Sequence, residues 1–284
     1  IEWGPETSDR VLVCVHGLTR NGRDFDVLAA TLADEGWRVI CPDIVGRGRS
    51  GRLADHRLYN HPQYMADLTL LLAHLRLGKV DWFGTSMGAI TGMLLAYLRL
   101  EKVDWFGTSM GAITGMLLAA LPDTPIDRLI VNDVGAFIPK AALERIAGTL
   151  ATRPRCATRA EAEAWMRRTY APFGRLSDAQ WAHLTEQSFV ADAEGWLEPH
   201  FDPGIAASVL AVPVADVDLW PVWDRLKRPT LLLRGQESDL LPVEVASEMT
   251  RRGPKPILLT FPDCGHAPAM MEADQIAAVK GWLG

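Results

Sequence analysis

Apolar positions along this chain fall into short blocks that alternate between two periods. Val11–Val15 is an unbroken, β-branched run ending at His16-Gly17, as expected of a parallel strand buried on both faces. Phe25–Glu35 carries apolar residues at helical spacing, and Arg38–Cys41 reads as the next strand. A helix over Tyr64–Leu77 presents its leucines to a core, Val80–Phe83 is a short strand running into Gly84, and Gly88–Leu98 is helical. Leu129–Asn132, Thr230–Arg234 and Ile257–Phe261 supply three more strands. Strands alternating with helices predict an α/β, doubly wound, mostly parallel sheet. Between Phe137 and Val222 the rhythm changes: no clear strand is visible, helices are expected over Ala141–Thr149 and Ala160–Tyr170, and tryptophan and methionine recur. This stretch is read as a helical lid, its aromatics mostly lid core. The chain thus divides into 1–136, the lid 137–222, and 223–284, with both outer parts forming one sheet domain.

One pattern interrupts the alternation. The eighteen residues 79–96, from Lys79 through the serine at position 86, recur unchanged at 102–119, an offset of 23 residues. Leu75-Arg76-Leu77 likewise matches Leu98-Arg99-Leu100. Solenoids need at least three units, so two identical ones indicate a tandem duplication of a strand, turn and helix.

Composition narrows the possibilities. With 284 residues, 48% apolar and 23% charged, the chain suits one large domain with an ordinary core. A net charge of −6 and no Lys/Arg stripe argue against nucleic acid as a partner. Apolar stretches are broken well before the ~20 residues of a membrane span, and Ile1-Glu2-Trp3-Gly4 does not open a signal peptide, so a cytoplasmic location is expected. Cys14, Cys41, Cys156 and Cys264 lack disulfide or metal spacing and are expected as buried free thiols.

Each repeat contains G-x-S-x-G, Gly84-Thr85-Ser86-Met87-Gly88 and Gly107-Thr108-Ser109-Met110-Gly111. Between a strand and a helix this pattern makes a sharp turn that exposes the serine hydroxyl. A serine needs a base, and the base an orienting acid. After the serine, in that order, come Asp239 following the strand Thr230–Arg234 and His266 in Cys264-Gly265-His266. Glu237 and Asp133 are alternatives for the acid. The oxyanion needs two backbone N–H donors: the residue after the nucleophile, Met87 or Met110, and Leu18 in the loop His16-Gly17-Leu18, where His16 is read as shaping the loop. Gly46-Arg47-Gly48-Arg49-Ser50-Gly51 matches GxGxxG, but no apolar-faced helix follows it, so no dinucleotide site is expected. His56 and His61 are too isolated for zinc.

Taken together, His16-Gly17, Asp43-x-x-Gly46-x-Gly48-x-Ser50, both GxSxG turns, Asp239 and Gly265-His266 resemble the α/β-hydrolase family, most of all its capped bacterial carboxylesterases and lactonase- or C–C-hydrolase-like members. The resemblance covers essentially the whole chain. It implies an eight-stranded sheet with a lid after strand six, a Ser-His-Asp triad cleaving carboxylic esters through an acyl-serine, a small-molecule ester substrate and no cofactor or metal. Lactonase, acyltransferase or C–C hydrolase chemistry on the same triad, or a non-catalytic ligand-binding scaffold, are the alternatives. The chain departs from the family in having few residues before Val11 and two nucleophile turns. With one Leu18 loop, one acid and one histidine, at most one complete site can form. If both repeat strands enter the sheet side by side, Ser86 keeps the oxyanion loop and Ser109 keeps the acid and histidine, which favours Ser109. The other outcome is that one copy buries its apolar residues, Trp82, Phe83, Met93, Leu94 and Leu95, against a second chain in a homo-oligomer, hinged at Leu98-Arg99-Leu100-Glu101.

Overall fold

The computed structural model describes residues 1–90, 102–150, 152–207 and 215–284. Eight strands form one sheet: β1 (Glu2–Trp3), β2 (Val11–Val15), β3 (Arg38–Ile40), β4 (Asp81–Thr85), β5 (Val103–Thr108), β6 (Ile126–Asn132), β11 (Thr230–Gly235) and β12 (Ile257–Phe261). Their spatial order is β1-β3-β2-β4-β5-β6-β11-β12. Only the edge pair β1–β3 is antiparallel. The chain therefore folds as an α/β, mostly parallel sheet. The two-residue strand β1, which pairs with Val39 and Ile40, escaped the sequence reading because two residues show no periodicity.

Both copies of the repeat enter this sheet as neighbours. β4 pairs with β5 in exact repeat register, Trp82 beside Trp105, Phe83 beside Phe106, Gly84 beside Gly107 and Thr85 beside Thr108. The count of eight strands includes both copies. Because side chains alternate across a strand, identical strands in register stack like on like. Trp82 and Trp105 pack on one face of the sheet, with ring centroids 6.4 Å apart, and Phe83 and Phe106 stack on the other at 3.6 Å. All four are buried within the chain. Trp82 and Phe83 thus find inside the sheet the cover that an oligomer interface was expected to give. Met93, Leu94, Leu95, the hinge 98–101 and the end of the helix expected over Gly88–Leu98 lie outside the described residues; that helix is described at Met87–Ile90.

Two apolar layers cover the sheet. One joins Val13, Trp82, Trp105 and Leu129 to Leu68, Met116 and Trp223; the other joins Leu12, Phe83, Phe106 and Leu231 to Leu28, Leu32 and Val279. All four cysteines are free and buried.

Helices Lys140–Leu150, Arg159–Thr169 and Asp178–Ser188 lie in the segment expected as a lid. Its own small core holds Met166, Trp181, Leu184 and Phe189 and reaches the sheet domain at Met271. Contrary to the strandless reading, the lid segment also contains strands. β7 (Phe137–Ile138) pairs with β10 (Val217–Asp218) where the chain leaves and re-enters the sheet domain, and β8 (Phe189–Ala191) pairs with β9 (Leu197–Pro199) as a hairpin. Two- and three-residue strands are too short to show alternation. Among the described residues, no helix is long and apolar enough to cross a membrane.

Candidate active site

Strand β2 ends at His16, which is wholly buried and fixes the loop after it. His16 Nδ1 donates to the Gly17 carbonyl (2.7 Å) and Nε2 accepts from the Ile44 amide (2.9 Å). Burial pushes its pKa down to about 4, so the ring is neutral at ordinary pH, as those two bonds require. His16 is thus a loop-shaping residue. The motif around Asp43 is structural in the same way. The Asp43 carboxylate accepts from the amides of Gly22 (2.8 Å) and Arg49 (2.9 Å), while Ser50 Oγ donates to the Asp43 carbonyl (2.6 Å). Arg47 is folded inward, its Nε donating to the Leu18 carbonyl (2.8 Å). The Leu18 loop is therefore held from below.

Both elbows have the expected form. Ser86 and Ser109 have φ of 50° and 57°, the left-handed region that non-glycine residues enter only under constraint. The constraint is visible in each copy: Trp82 Nε1 donates to the Gly88 carbonyl (3.3 Å) and Trp105 Nε1 to the Gly111 carbonyl (3.1 Å), tying strand to helix. Glycine is required where these parts meet, since a Cβ on Gly88 would lie 2.1 Å from the Val15 carbonyl oxygen and one on Gly107 2.2 Å from that of Gly111.

The two serines differ in their neighbours. Ser86 stands beside the Leu18 loop, where a Cβ on Gly17 would meet the Ser86 Cβ at 3.8 Å. Its amide donates to the Thr108 carbonyl of the second copy (2.9 Å). Ser109 stands one strand further on, its amide donating to the Asn132 carbonyl of β6 (3.4 Å). Asn132 Nδ2 donates both to Thr108 Oγ1 and to the Pro268 carbonyl (3.0 Å each), linking the second elbow to the histidine loop. Met87 is buried, with Arg47 Nη2 at 3.3 Å from its sulfur, whereas Met110 is 40% exposed. Identical residues occupy two environments because the strand pair has a left and a right side.

The carboxylate that meets His266 is that of Asp133, not that of Asp239 as expected. His266 Nδ1 lies 2.8 Å from Asp133 Oδ2. Asp133 is completely buried and sits at φ 59° directly after β6. Its Oδ1 accepts from the Gly235 amide (2.8 Å), and Oδ2 also accepts from Ser238 Oγ (2.6 Å). These bonds satisfy a buried carboxylate and fix its direction. Asp239 instead is 44% exposed and forks onto Arg145 of the first lid helix, with two bonds of 2.6 Å. The Arg145 hydrogen bonds hold the Asp239 carboxyl below the usual range. Asp239 is turned outward to the lid because Ser238, its predecessor, is drawn in to Asp133. Glu237 makes no side-chain bond to His266 either.

Leu18, Ser86, Ser109 and His266 line one cavity of about 160 Å³, roofed by Arg145, Ile146, Tyr170, Pro172 and Phe173 of the lid. Among the described residues neither serine hydroxyl is hydrogen-bonded to His266, a contact that often closes only when substrate is bound. Also among them, no group of three or more His, Cys, Asp and Glu could hold a metal ion.

A family model described as alpha/beta hydrolase fold matches residues 10–273. The chain is 40% identical over 285 residues to a 3-hydroxybutyrate-oligomer hydrolase of Cupriavidus necator, covering 97% of this chain and 89% of that protein. Among solved structures, an alpha/beta hydrolase of Novosphingobium aromaticivorans superposes with a TM-score of 0.73 at 33% identity, covering 99% of this chain and 91% of that one. A Rickettsia typhi structure gives 0.78 at 29% identity, covering 100% and 89%. With the match spanning nearly its whole length, the chain belongs to the alpha/beta hydrolase fold family.

Proposed function

We propose that this chain hydrolyses carboxylic esters through an acyl-serine intermediate, with Ser109 as nucleophile, His266 as base and Asp133 as the acid that orients it. The observation that carries this reading is the Asp133–His266 hydrogen bond beside a cavity lined by the elbow serines. Asp133 engages Nδ1, which leaves Nε2 to take the serine proton. Ser109 is preferred to Ser86 because its strand adjoins β6, which delivers Asp133, and because Asn132 bridges its elbow to the histidine loop.

In the reaction, Ser109 Oγ attacks the ester carbonyl carbon while its proton passes to His266 Nε2. The carbonyl π electrons move onto oxygen, whose charge is met at the N-terminus of the helix Met110–Ala119, first by the Met110 amide. Collapse expels the alcohol, which takes the proton from His266. Water, activated by the same histidine, then releases the acid. Similarity to an enzyme named for 3-hydroxybutyrate oligomers supports short hydroxyacid oligoesters as the substrate class.

The test is turnover of p-nitrophenyl butyrate and of a 3-hydroxybutyrate trimer by the His266→Ala and Asp133→Asn variants. Both are expected to lose roughly 10³-fold or more in kcat. Near-normal turnover by His266→Ala removes this mechanism.

A further inference from the structure

Placing β5 beside β4 moves the working elbow one strand away from the loop expected to supply half of its oxyanion hole. Strands are spaced by about 4.8 Å. Leu18 therefore adjoins Ser86, and Ser86 occupies the gap between the Leu18 loop and Ser109. An oxyanion formed on Ser109's substrate keeps the Met110 amide on one side. On the other side, the group facing it is the first elbow. The Ser86 amide is unavailable, because it donates to the Thr108 carbonyl at 2.9 Å. The Ser86 hydroxyl is not so engaged. It sits on the same kind of left-handed turn as Ser109, at the same register, and lines the same cavity. At a strand spacing of about 4.8 Å, two elbow hydroxyls at one register leave room between them for a single oxygen atom, bonded to carbon on the Ser109 side and hydrogen-bonded on the Ser86 side.

We propose that Ser86 is a catalytic residue of Ser109's reaction, its hydroxyl donating the second hydrogen bond to the oxyanion in the place intended for the Leu18 amide. The inference rests on the reading of Ser109 as nucleophile. In the step itself, the Ser109 Oγ–carbon bond forms as the carbonyl π pair moves to oxygen and the Ser109 proton moves to His266. Ser86 Oγ–H keeps its proton and only donates a hydrogen bond, which strengthens as charge grows on the oxygen. When the alcohol leaves with the proton from His266, the pair returns to the carbonyl and the Ser86 bond weakens again. The first copy of the repeat thus serves as an oxyanion-hole wall for the second.

The informative variant is Ser86→Gly. At a φ of 50° glycine is the least strained residue, so removing the hydroxyl this way carries no folding penalty, which a thermal melt verifies. A fluorophosphonate probe, whose phosphorus bonds to the nucleophilic oxygen as fluoride leaves, is mapped by peptide mass spectrometry in the wild type and in Ser86→Gly. The expected result is probe on Ser109 in both proteins, an unlowered melting temperature, and a kcat on p-nitrophenyl butyrate reduced by about 10²–10³ in Ser86→Gly. Probe on Ser86 in the wild type, or a Ser86→Gly kcat within about threefold of wild type, overturns the proposal. Probe on Ser86 removes the reading of Ser109 as nucleophile as well, whereas an unchanged kcat in Ser86→Gly with probe on Ser109 that is lost in His266→Ala overturns this proposal alone, so the two failures are told apart.

Discussion

The amide of Asp104 donates to the carboxylate of Asp81 at 2.9 Å, so the same aspartate of the two repeats meets itself across the β4–β5 pair. Only Asp104 has the arginine: Arg128 of β6 forks onto it, at 3.0 and 2.9 Å from Nε and closer still from Nη2, and leaves Asp81 without a fork of its own. Burial, with the Asp104 charge adding to it, pushes the Asp81 carboxyl up to about 6. The register that stacks Trp82 on Trp105 and Phe83 on Phe106 favourably has an electrostatic cost at this end of the strands.

That cost has a defined pH window. A carboxyl whose pKa rises on folding adds stability below its unfolded value of 3.8, and that stability is lost as pH climbs through about 6. Asp81→Asn has no such titration. Relative to wild type, it is therefore expected to gain on the order of 3 kcal/mol between pH 3.8 and pH 6, at 1.36 kcal/mol per pKa unit. His16, buried neutral with its pKa lowered to about 4, pulls the other way, weakening the fold as pH falls below 6.5. The wild-type profile mixes both, so the measurement is the difference in urea-unfolding free energy between Asp81→Asn and wild type at each pH. A flat difference refutes the raised pKa.

The second prediction separates the two aspartates. Asp133→Asn removes the acceptor that holds His266 Nδ1 and should lower kcat roughly 10³–10⁴-fold while the protein remains folded. Asp239→Asn removes only a half-exposed partner of Arg145, a contact of the kind that contributes about 0–1 kcal/mol. Its kcat is expected to stay within about threefold of wild type. Steady-state kinetics on one ester decide it, and the reverse ranking would return the acid to Asp239.

This pair of aspartates marks where the sequence stops being legible. Both follow a sheet strand, both precede His266, and each stands where a strand hands over to a loop, so local pattern cannot choose between them. The choice is made by contacts across long stretches of chain: Ser238 and the Gly235 amide turn toward Asp133, and Arg145 comes down from the lid onto Asp239. The elbows were legible because their signal is local, a strand, a turn at positive φ and a helix, and Gly265-His266 because it closely follows the strand Ile257–Phe261. So was the consequence of placing the copies side by side, since it depends only on strand order. The hairpin β8–β9 was not, because its strands hold three residues each and owe their pairing to Cys156, whose amide donates to the Leu197 carbonyl at 2.9 Å, and to the lid core.

The third prediction concerns the acyl side. Apart from Arg20 and Arg145, the cavity wall around the serines is largely apolar, with Leu18, Ile146, Tyr170, Pro172, Phe173 and Ala267. Both arginines already face carboxylates, Arg20 that of Asp24 at 2.8 Å and Arg145 that of Asp239. Uncharged acyl chains are therefore expected to bind better than anionic ones. Each added methylene should raise kcat/KM about fourfold, from about 0.8 kcal/mol per buried CH₂, until a cavity of about 160 Å³ is full. A p-nitrophenyl ester series from acetate to octanoate measures this. A profile without a maximum, or a preference for a hemisuccinate ester, contradicts it.

The last prediction tests the displaced oxyanion hole by removing the displacement. Deleting residues 79–101 joins Gly78 to Lys102 and leaves a single copy, with Ser109 as its serine. The remaining strand would then pair with β2 on one side and β6 on the other, the places that β4 and β5 now hold separately. The Leu18 loop would adjoin Ser109 directly, and the Asp133–His266 pair would be unchanged on its far side. The Asp81–Asp104 encounter would vanish as well, leaving one aspartate for Arg128. Since a misplacement of about 1 Å can lower a rate a hundredfold, restoring a backbone donor from one strand spacing away is expected to raise kcat by about tenfold to a hundredfold. The Ser86 hydroxyl is lost in the same deletion, so a rise can come only from a better donor taking its place. The measurement is kcat on p-nitrophenyl butyrate for the deleted chain and the full one, with active sites counted by fluorophosphonate titration. A folded, fully titratable deletion variant that is no faster than the full chain would mean that the duplicated elbow costs the enzyme nothing, and that the Leu18 loop is not the donor its position suggests.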